Sequence, residues 1–413
     1  MSTPSDPRTE RLRRFRNRAY GLFLHYGLYS LRERGEWTLH HHRSDPSEYQ
    51  GLMEQFTADR FDAPALAKWA VAQGFRYICL TSRHHDGFSL YDTRGLNRYD
   101  APHSAAGRDL IAEFTEACRN QGLGVYLYHT TLDWADARFD RDWKGYLAYL
   151  RDSIRILCSH YGRIDGFWFD GNWSRRERDW EEDALYGLIR ELQPKAIIVN
   201  NSSIGRPGER GHPELDVVTF EQHAPSSTAE EEVGGEMCQT LTSHWGHAAA
   251  DYSHKSPSDL IRDLLVCRAA GTNLLLNTGP RPDGSLDPLD KALLEKVGDW
   301  CARTLGNALY ESEPVAAAQA DGEDLLLKTG NRLLYAAFSL PIDKNTHLHE
   351  GRRDWAQRSV AGKIPPLRSV RWLDNGEELP FVQDTEAELL AFRASPCPYG
   401  SQFVARVAEL LPQ

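Results

Sequence analysis

The chain has 413 residues, 41% of them hydrophobic and 26% charged, enough to bury a large core and build one big domain plus a smaller one, which excludes a disordered protein. A net charge of -11, with no long Lys/Arg run to override it, argues against nucleic acid and anionic membranes as partners. No apolar stretch approaches the roughly 20 residues that span a bilayer, and Met1 to Pro7 does not lead into a signal-peptide core, so a cytoplasmic protein is expected.

The first element is the basic run Arg8 to Arg18, interleaved with Glu10, which reads as a solvated helix. From Gly21 to about Gly306 short apolar runs alternate with amphipathic segments, the pattern of βα units around a parallel sheet. The predicted strands are Gly21 to Tyr26, Phe75 to Thr81, Gly124 to Tyr128, Ile164 to Asp170, Ala196 to Asn200, Asp216 to Glu221 and Asn273 to Asn277, with an eighth near Met237 to Trp245. Between them, Leu110, Ile111, Phe114, Ala117 and Cys118 form a helical stripe stopped by Gly122, and Ser256-Pro257 caps a helix carrying Leu260, Ile261, Leu264 and Leu265. Glu230 to Gly235 is read as a charged loop. Eight units in this length suit an α/β chain of the (β/α)8 TIM-barrel class, usually about 250 residues before insertions. An open doubly wound sheet fits less well, because no Gly-x-Gly-x-x-Gly turn follows the first strand.

After Pro314 the pattern changes to short strands between Gly, Asn, Asp and Pro turns: Asp324 to Asn331, Leu333 to Leu340, Ser369 to Gly376 and Gln402 to Ala408. The expected organisation is a barrel over residues 1–310 and a small antiparallel β-sandwich over 311–413. The seven cysteines (79, 118, 158, 238, 267, 301 and 397) are odd in number and lack a Cys-x-x-Cys pair, so they read as reduced, packed thiols.

The chemistry concentrates at predicted strand ends. Ile164-Asp-Gly-Phe-Trp-Phe-Asp170-Gly171 delivers one carboxylate to a glycine turn, with Trp168 and Asp170 on one face and Phe167 and Phe169 on the other. Parallel α/β folds carry their sites at this end of the strands, which makes Asp170 a candidate nucleophile. His25 ends the first strand, followed by Glu36 and Trp37 in the next loop. An indole beside hydroxyl-binding groups suits the apolar face and polar edge of a sugar. Arg83-His84-His85-Asp86 ends the second strand; the histidines are open to metal ligation, hydroxyl binding or a structural role, with hydroxyl binding favoured. His40-His41-His42, if extended, cannot present three rings to one ion. Tyr126 and Tyr128 share a face of the third strand, ahead of His129, Asp133 and Trp134.

Taken in order, Leu22-Phe-Leu-His25-Tyr-Gly, Gly35-Glu-Trp37, Arg83 to Phe88, Leu132-Asp-Trp134, Trp168-Phe-Asp170-Gly and Asn273 to Pro280 resemble the α-L-fucosidases of glycoside hydrolase family 29. The resemblance runs from about Ala19 to Pro288. It implies a (β/α)8-like barrel with a C-terminal β-sandwich, a retaining exo-glycosidase acting on fucosylated oligosaccharides or glycosides, and no metal or cofactor. It makes Asp170 the nucleophile that forms a fucosyl-enzyme, opposite an acid/base carboxylate about 5 Å away. His25, Glu36, Trp37, His84, His85, Tyr128 and Trp168 would line the sugar subsite. The family does not hold its acid/base at one position; Glu221, at the end of the sixth strand, is placed ahead of Glu236. Asn273 to Pro280 is assigned only a structural role. Tyr26 and His129 depart from the family's usual Trp and Ser and bear on leaving-group preference. The competing readings are a barrel glycosidase for α-galactosides or L-galactosides, a retired fucose-binding protein, and a metal-dependent hydrolase.

Overall fold

The computed structural model describes residues 6–42, 45–202, 206–225, 232–343 and 355–413. Eight parallel strands close into a barrel: β1 (Tyr20–Leu24), β2 (Tyr77–Arg83), β3 (Gly124–Thr130), β4 (Gly166–Asp170), β5 (Ile197–Asn200), β6 (Val217–Glu221), β7 (Gly234–Thr240) and β8 (Asn273–Thr278). Each pairs with the next in sequence, and β8 closes on β1 with Leu22 opposite Leu276. β7 begins three residues before the predicted eighth strand. Its opening glycines were read as part of a loop, of which residues 230 and 231 lie outside the described residues.

Period-two alternation sorts the strand side chains. Phe23, Tyr77, Cys79, Tyr126, Tyr128, Trp168, Val199, Cys238 and Leu275 fill the barrel interior, while Phe169 faces outward onto Tyr186 of the helix Glu182–Leu192. Gly166 admits the Tyr126 ring, which would lie 2.2 Å from a Cβ there. The helices follow their sequence signals. Leu110–Asn120 is N-capped by Asp109, and Pro257–Ala269 carries a capping box in which Ser256 and Asp259 satisfy each other's backbone N–H groups.

The first helix, Pro7–Arg16, is not a solvated element as its charge implied. Phe15 enters the barrel core, Arg11 is buried against Asp216 at 3.0 Å, and Arg8 and Arg16 donate to the carbonyls of Leu215 and Val233. The arginines thus satisfy buried carbonyls just before β6 and β7, at the amino end of the barrel.

The chain divides into two compact units. One holds all eight barrel strands; the other holds residues 256–272 and those from 295 onward. The second unit contains two antiparallel sheets. A five-stranded sheet runs in the order Leu367–Trp372, Ala405–Pro412, Arg332–Phe338, Leu325–Thr329, Glu313–Pro314, and a four-stranded sheet in the order Ala318–Ala320, Ala356–Gly362, Leu389–Ala394, Phe381–Asp384. Both contribute to one core, with Tyr335, Val370 and Trp372 from the first meeting Val360, Leu390 and Phe392 from the second. All seven cysteines are buried, and none forms a disulfide. No helix among the described residues is long and apolar enough to cross a membrane.

Candidate active site

Asp170 ends β4 beside Thr130 of β3, and the chain turns away at Gly171, whose φ of +124° and 2.6 Å approach to the Leu132 nitrogen leave no room for a side chain. Three groups hold the carboxylate. The Trp173 indole donates to Oδ1 at 2.7 Å, the Tyr128 hydroxyl donates to Oδ2 at 3.1 Å, and His85 Nε2 lies 3.4 Å from Oδ2. Burial pushes the carboxyl upward, but the hydrogen bond and charge of His85, with the Trp173 and Tyr128 donors, outweigh it and hold Asp170 below its ordinary value. The side chain keeps 14% of its surface, so the ionised oxygens remain open to a ligand.

Three histidines line the same cavity, with rings 5.6 Å apart for His25 and His84 and 4.2 Å for His84 and His85. His25 Nδ1 lies 2.6 Å from Asn277 Oδ1, and the Asn277 amide donates to the Trp245 carbonyl. That places the proton on Nδ1 and leaves Nε2 as an acceptor. Burial drives His25 down to about 3, against the opposing effect of Asn277, so it is neutral at ordinary pH. Burial likewise lowers His84, whose Nδ1 is buried without a partner among the described residues. His85 Nδ1 faces the Thr130 hydroxyl at 2.7 Å, and that hydroxyl donates onward to Leu132, so the ring donates to Thr130. No group of three or more His, Cys, Asp or Glu among the described residues is placed to hold a metal ion.

The two acid candidates separate by depth. Glu221 ends β6 opposite Cys238 and lines the same cavity as Asp170. Its Oε2 accepts from Asn201, which accepts in turn from Thr219. Burial first, and then the negative charge of Asp170, push Glu221 up to about 7. Glu236 lies one layer lower, opposite Thr219, outside the cavity lining. It accepts from the Trp168 indole at 2.9 Å and from the Tyr77 hydroxyl at 2.5 Å. It bonds the indole of Trp168, a wall of the nucleophile's cavity, and does not itself line that cavity.

Burial also raises Glu236 from 4.5 to about 7, despite its two donors. A carboxyl with a raised folded-state pKa favours the folded state below its unfolded value and loses that advantage as pH climbs from about 4.5 to about 7, here on the order of 3 kcal/mol. Glu236→Gln does not titrate, and its Oε1 can accept from the Trp168 indole while its amide donates to the Tyr77 hydroxyl. Between pH 5 and pH 8 its Tm should fall less than that of the wild type, and equal losses in the two proteins would refute the assignment.

Glu36 is buried, and its Oε2 accepts from the backbone N–H groups of Trp245 and Gly246 at 3.1 and 2.8 Å. It fixes Trp245, a cavity wall, and itself lines a neighbouring hollow. Trp37 lines both spaces and stacks on Trp173 at 5.8 Å. The cavity thus gathers His25, Trp37, His84, His85, Tyr128, Trp168, Asp170 and Glu221. It also contains Phe23, Trp173, Asn201 and Trp245, which sequence reasoning did not select. Asn277, in a stretch given only a structural role, orients His25 directly. Tyr26 and His129 turn away: Tyr26 donates to the Pro282 carbonyl and stacks on Phe61, and His129 bonds Thr130 O and the Tyr91 hydroxyl. Neither departure lines the cavity.

A closed parallel barrel with an aromatic-walled cavity at its strands' carboxyl end, holding one ionised carboxylate and one acid raised toward neutrality, defines a glycoside hydrolase. The alpha-L-fucosidase family model matches residues 3–304. Human tissue alpha-L-fucosidase is 27% identical over 323 residues, covering 71% of this chain and 68% of that protein. Alpha-L-fucosidase isoenzyme 1 from Paenibacillus thiaminolyticus superposes with a TM-score of 0.80 at 28% identity, over 99% of this chain and 100% of that one. A Bacteroides thetaiotaomicron alpha-L-fucosidase, solved as a trapped covalent intermediate with 2-fluoro-fucosyl fluoride, shares the fold with a TM-score of 0.81 at 22% identity, over 99% and 97% of the chains. The chain belongs to the alpha-L-fucosidase family.

Proposed function

We propose that this protein is an exo-acting α-L-fucosidase that removes terminal α-L-fucose with retention, using Asp170 as nucleophile and Glu221 as acid/base. The observation that carries the reading is the opposed pair in one cavity: Asp170, held ionised by Trp173, Tyr128 and His85, and Glu221, pushed up to about 7 by burial and by Asp170 itself. In the first step an Asp170 oxygen bonds to the anomeric carbon as the glycosidic C–O bond breaks, and the Glu221 proton passes to the departing oxygen. The ionised Glu221 then takes a proton from water, whose oxygen displaces Asp170 and restores both carboxyls.

The neutral histidines His25 and His84 supply acceptors and donors for sugar hydroxyls, and Trp37, Trp168 and Trp245 supply apolar walls. A fucosylated oligosaccharide or small glycoside is the substrate. The seven buried cysteines, none of them in a disulfide, suit a reducing, cytoplasmic setting. Incubation with 2-deoxy-2-fluoro-fucosyl fluoride should add one fluorofucosyl mass, mapping by peptide digestion to Asp170. A label on another residue would overturn the nucleophile, and turnover of an aryl fucoside with no covalent adduct would overturn the mechanism.

A further inference from the structure

Beside the Asp170 cavity lies a larger hollow of about 460 Å3, within the size range of small-ligand sites, whose walls include Arg34, Glu36, Trp37, His41, Ser243 and His244. The two spaces share Trp37, and adjacent residues divide between them, His244 lining the hollow and Trp245 the Asp170 cavity. With a fucosyl unit in the cavity, this adjoining hollow is space in which a leaving-group sugar can lie. The inference therefore rests on the fucosidase reading.

The hollow is a built surface. Residues 33–36 are strapped to 245–249 by Gly35 N–H to His247 O and Ala249 N–H to Glu33 O, both at 3.0 Å, and by the two N–H groups that Glu36 accepts. Gly35, with φ +82°, lets the strap approach the His244 ring, which would lie 2.7 Å from a Cβ at that position. The His41 ring stacks on Trp37 at 5.3 Å, so the histidine run that reads as incapable of chelation instead extends the aromatic wall.

The charges in and around the hollow are almost all committed. Glu36 is occupied by backbone donors, Asp251 holds His244 at 2.7 Å, Glu33 faces His247 at 3.5 Å, and Arg32 pairs with Glu48 at 2.9 Å. Among the described residues Arg34 is the exception. Its backbone is bridged to Ala248, yet among the described residues nothing pairs with its guanidinium.

We propose that this hollow is the leaving-group subsite and that Arg34 selects a leaving-group sugar carrying a carboxylate or a sulfate ester. The planar guanidinium fork matches either anion through paired N–H donors. Trp37 offers the apolar surface that a sugar ring requires beside its charged substituent.

The test compares kcat/KM for α-L-fucosyl fluoride, which has no leaving-group sugar, with three disaccharides of one linkage in which fucose is joined to galactose, galacturonate or galactose 6-sulfate. The wild type should prefer at least one anionic disaccharide to the neutral one by about tenfold, the worth of one charge-assisted hydrogen bond near water. Arg34→Gln should abolish that preference and leave fluoride hydrolysis unchanged, while Arg34→Lys keeps part of it. Preference for galacturonate identifies a carboxylate partner, and preference for the sulfate identifies a sulfated one. Equal rates on neutral and anionic disaccharides, or a loss in Arg34→Gln shared by the fluoride, would overturn the subsite. A wild type inert to the fluoride itself would instead remove the fucosidase reading on which it stands.

Discussion

Asp170→Gly should lower kcat on an aryl α-L-fucoside by at least about 10^4-fold, the scale on which removal of one member of a catalytic unit is felt. The variant leaves Tyr128, Trp173 and His85 in place without the carboxylate they converge on, so fucose binding should survive when turnover does not. Azide added to the variant can enter the vacated space and displace the aglycone from the opposite face, giving a β-L-fucosyl azide of inverted configuration. A variant with near-normal hydrolysis would dispose of Asp170 as nucleophile. Weak binding of fucose by a correctly folded variant would show that its main role is structural.

The second large effect concerns pH. With Glu221 pushed up to about 7 by burial and by Asp170, and Asp170 held below its ordinary 3.8 by His85, Trp173 and Tyr128 against its own burial, the reactive form has Glu221 protonated and Asp170 ionised. The profile of kcat/KM should be flat from about pH 4 to about pH 7 and then decline tenfold per unit. Glu221→Gln should erase that alkaline limb and lower the rate on substrates with poor leaving groups by about 10^2- to 10^4-fold, with a smaller loss on activated aryl fucosides. Glu221→Ala with azide should return a fucosyl azide of retained α configuration, because the nucleophile still acts first. An alkaline limb that persists in Glu221→Gln would assign the proton donor elsewhere.

The barrel was legible because its strands are short apolar runs at regular intervals, and their polar endings marked the functional rim. Asp170 and Glu221 could be read as strand termini for that reason. Glu236 could not be separated from Glu221 in the same way. Both lie on barrel strands, and only the register that sets Thr219 against Glu236 and Cys238 against Glu221 places one carboxyl a layer below the other. Trp173 follows Asp170 by three residues in a short 3-10 turn, and Asn277 follows the run Leu274-Leu275-Leu276 in a strand that reads as buried core. Their roles depend on partners that local sequence does not name.

In the second unit the four predicted strands all belong to the five-stranded sheet, where Leu and Val runs are deeply buried. The other sheet escaped notice, since Phe381–Asp384 and Leu389–Ala394 are short and alternate between more and less exposed positions, with apolar residues such as Val382 and Leu389 left on the exposed side. The basic first helix misled for the opposite reason: its arginines look solvated, but several spend their donors on carbonyls and a buried aspartate.

The seam between β1 and β8 joins residues some 250 positions apart in sequence, and it is also where His25 meets Asn277. During synthesis β1 exists long before its second neighbour, so the His25 ring is oriented only once the last barrel strand has arrived. A half-made barrel therefore lacks an intact sugar pocket. A ligand seated against His25 therefore favours the closed barrel and draws the folding equilibrium toward closure by mass action.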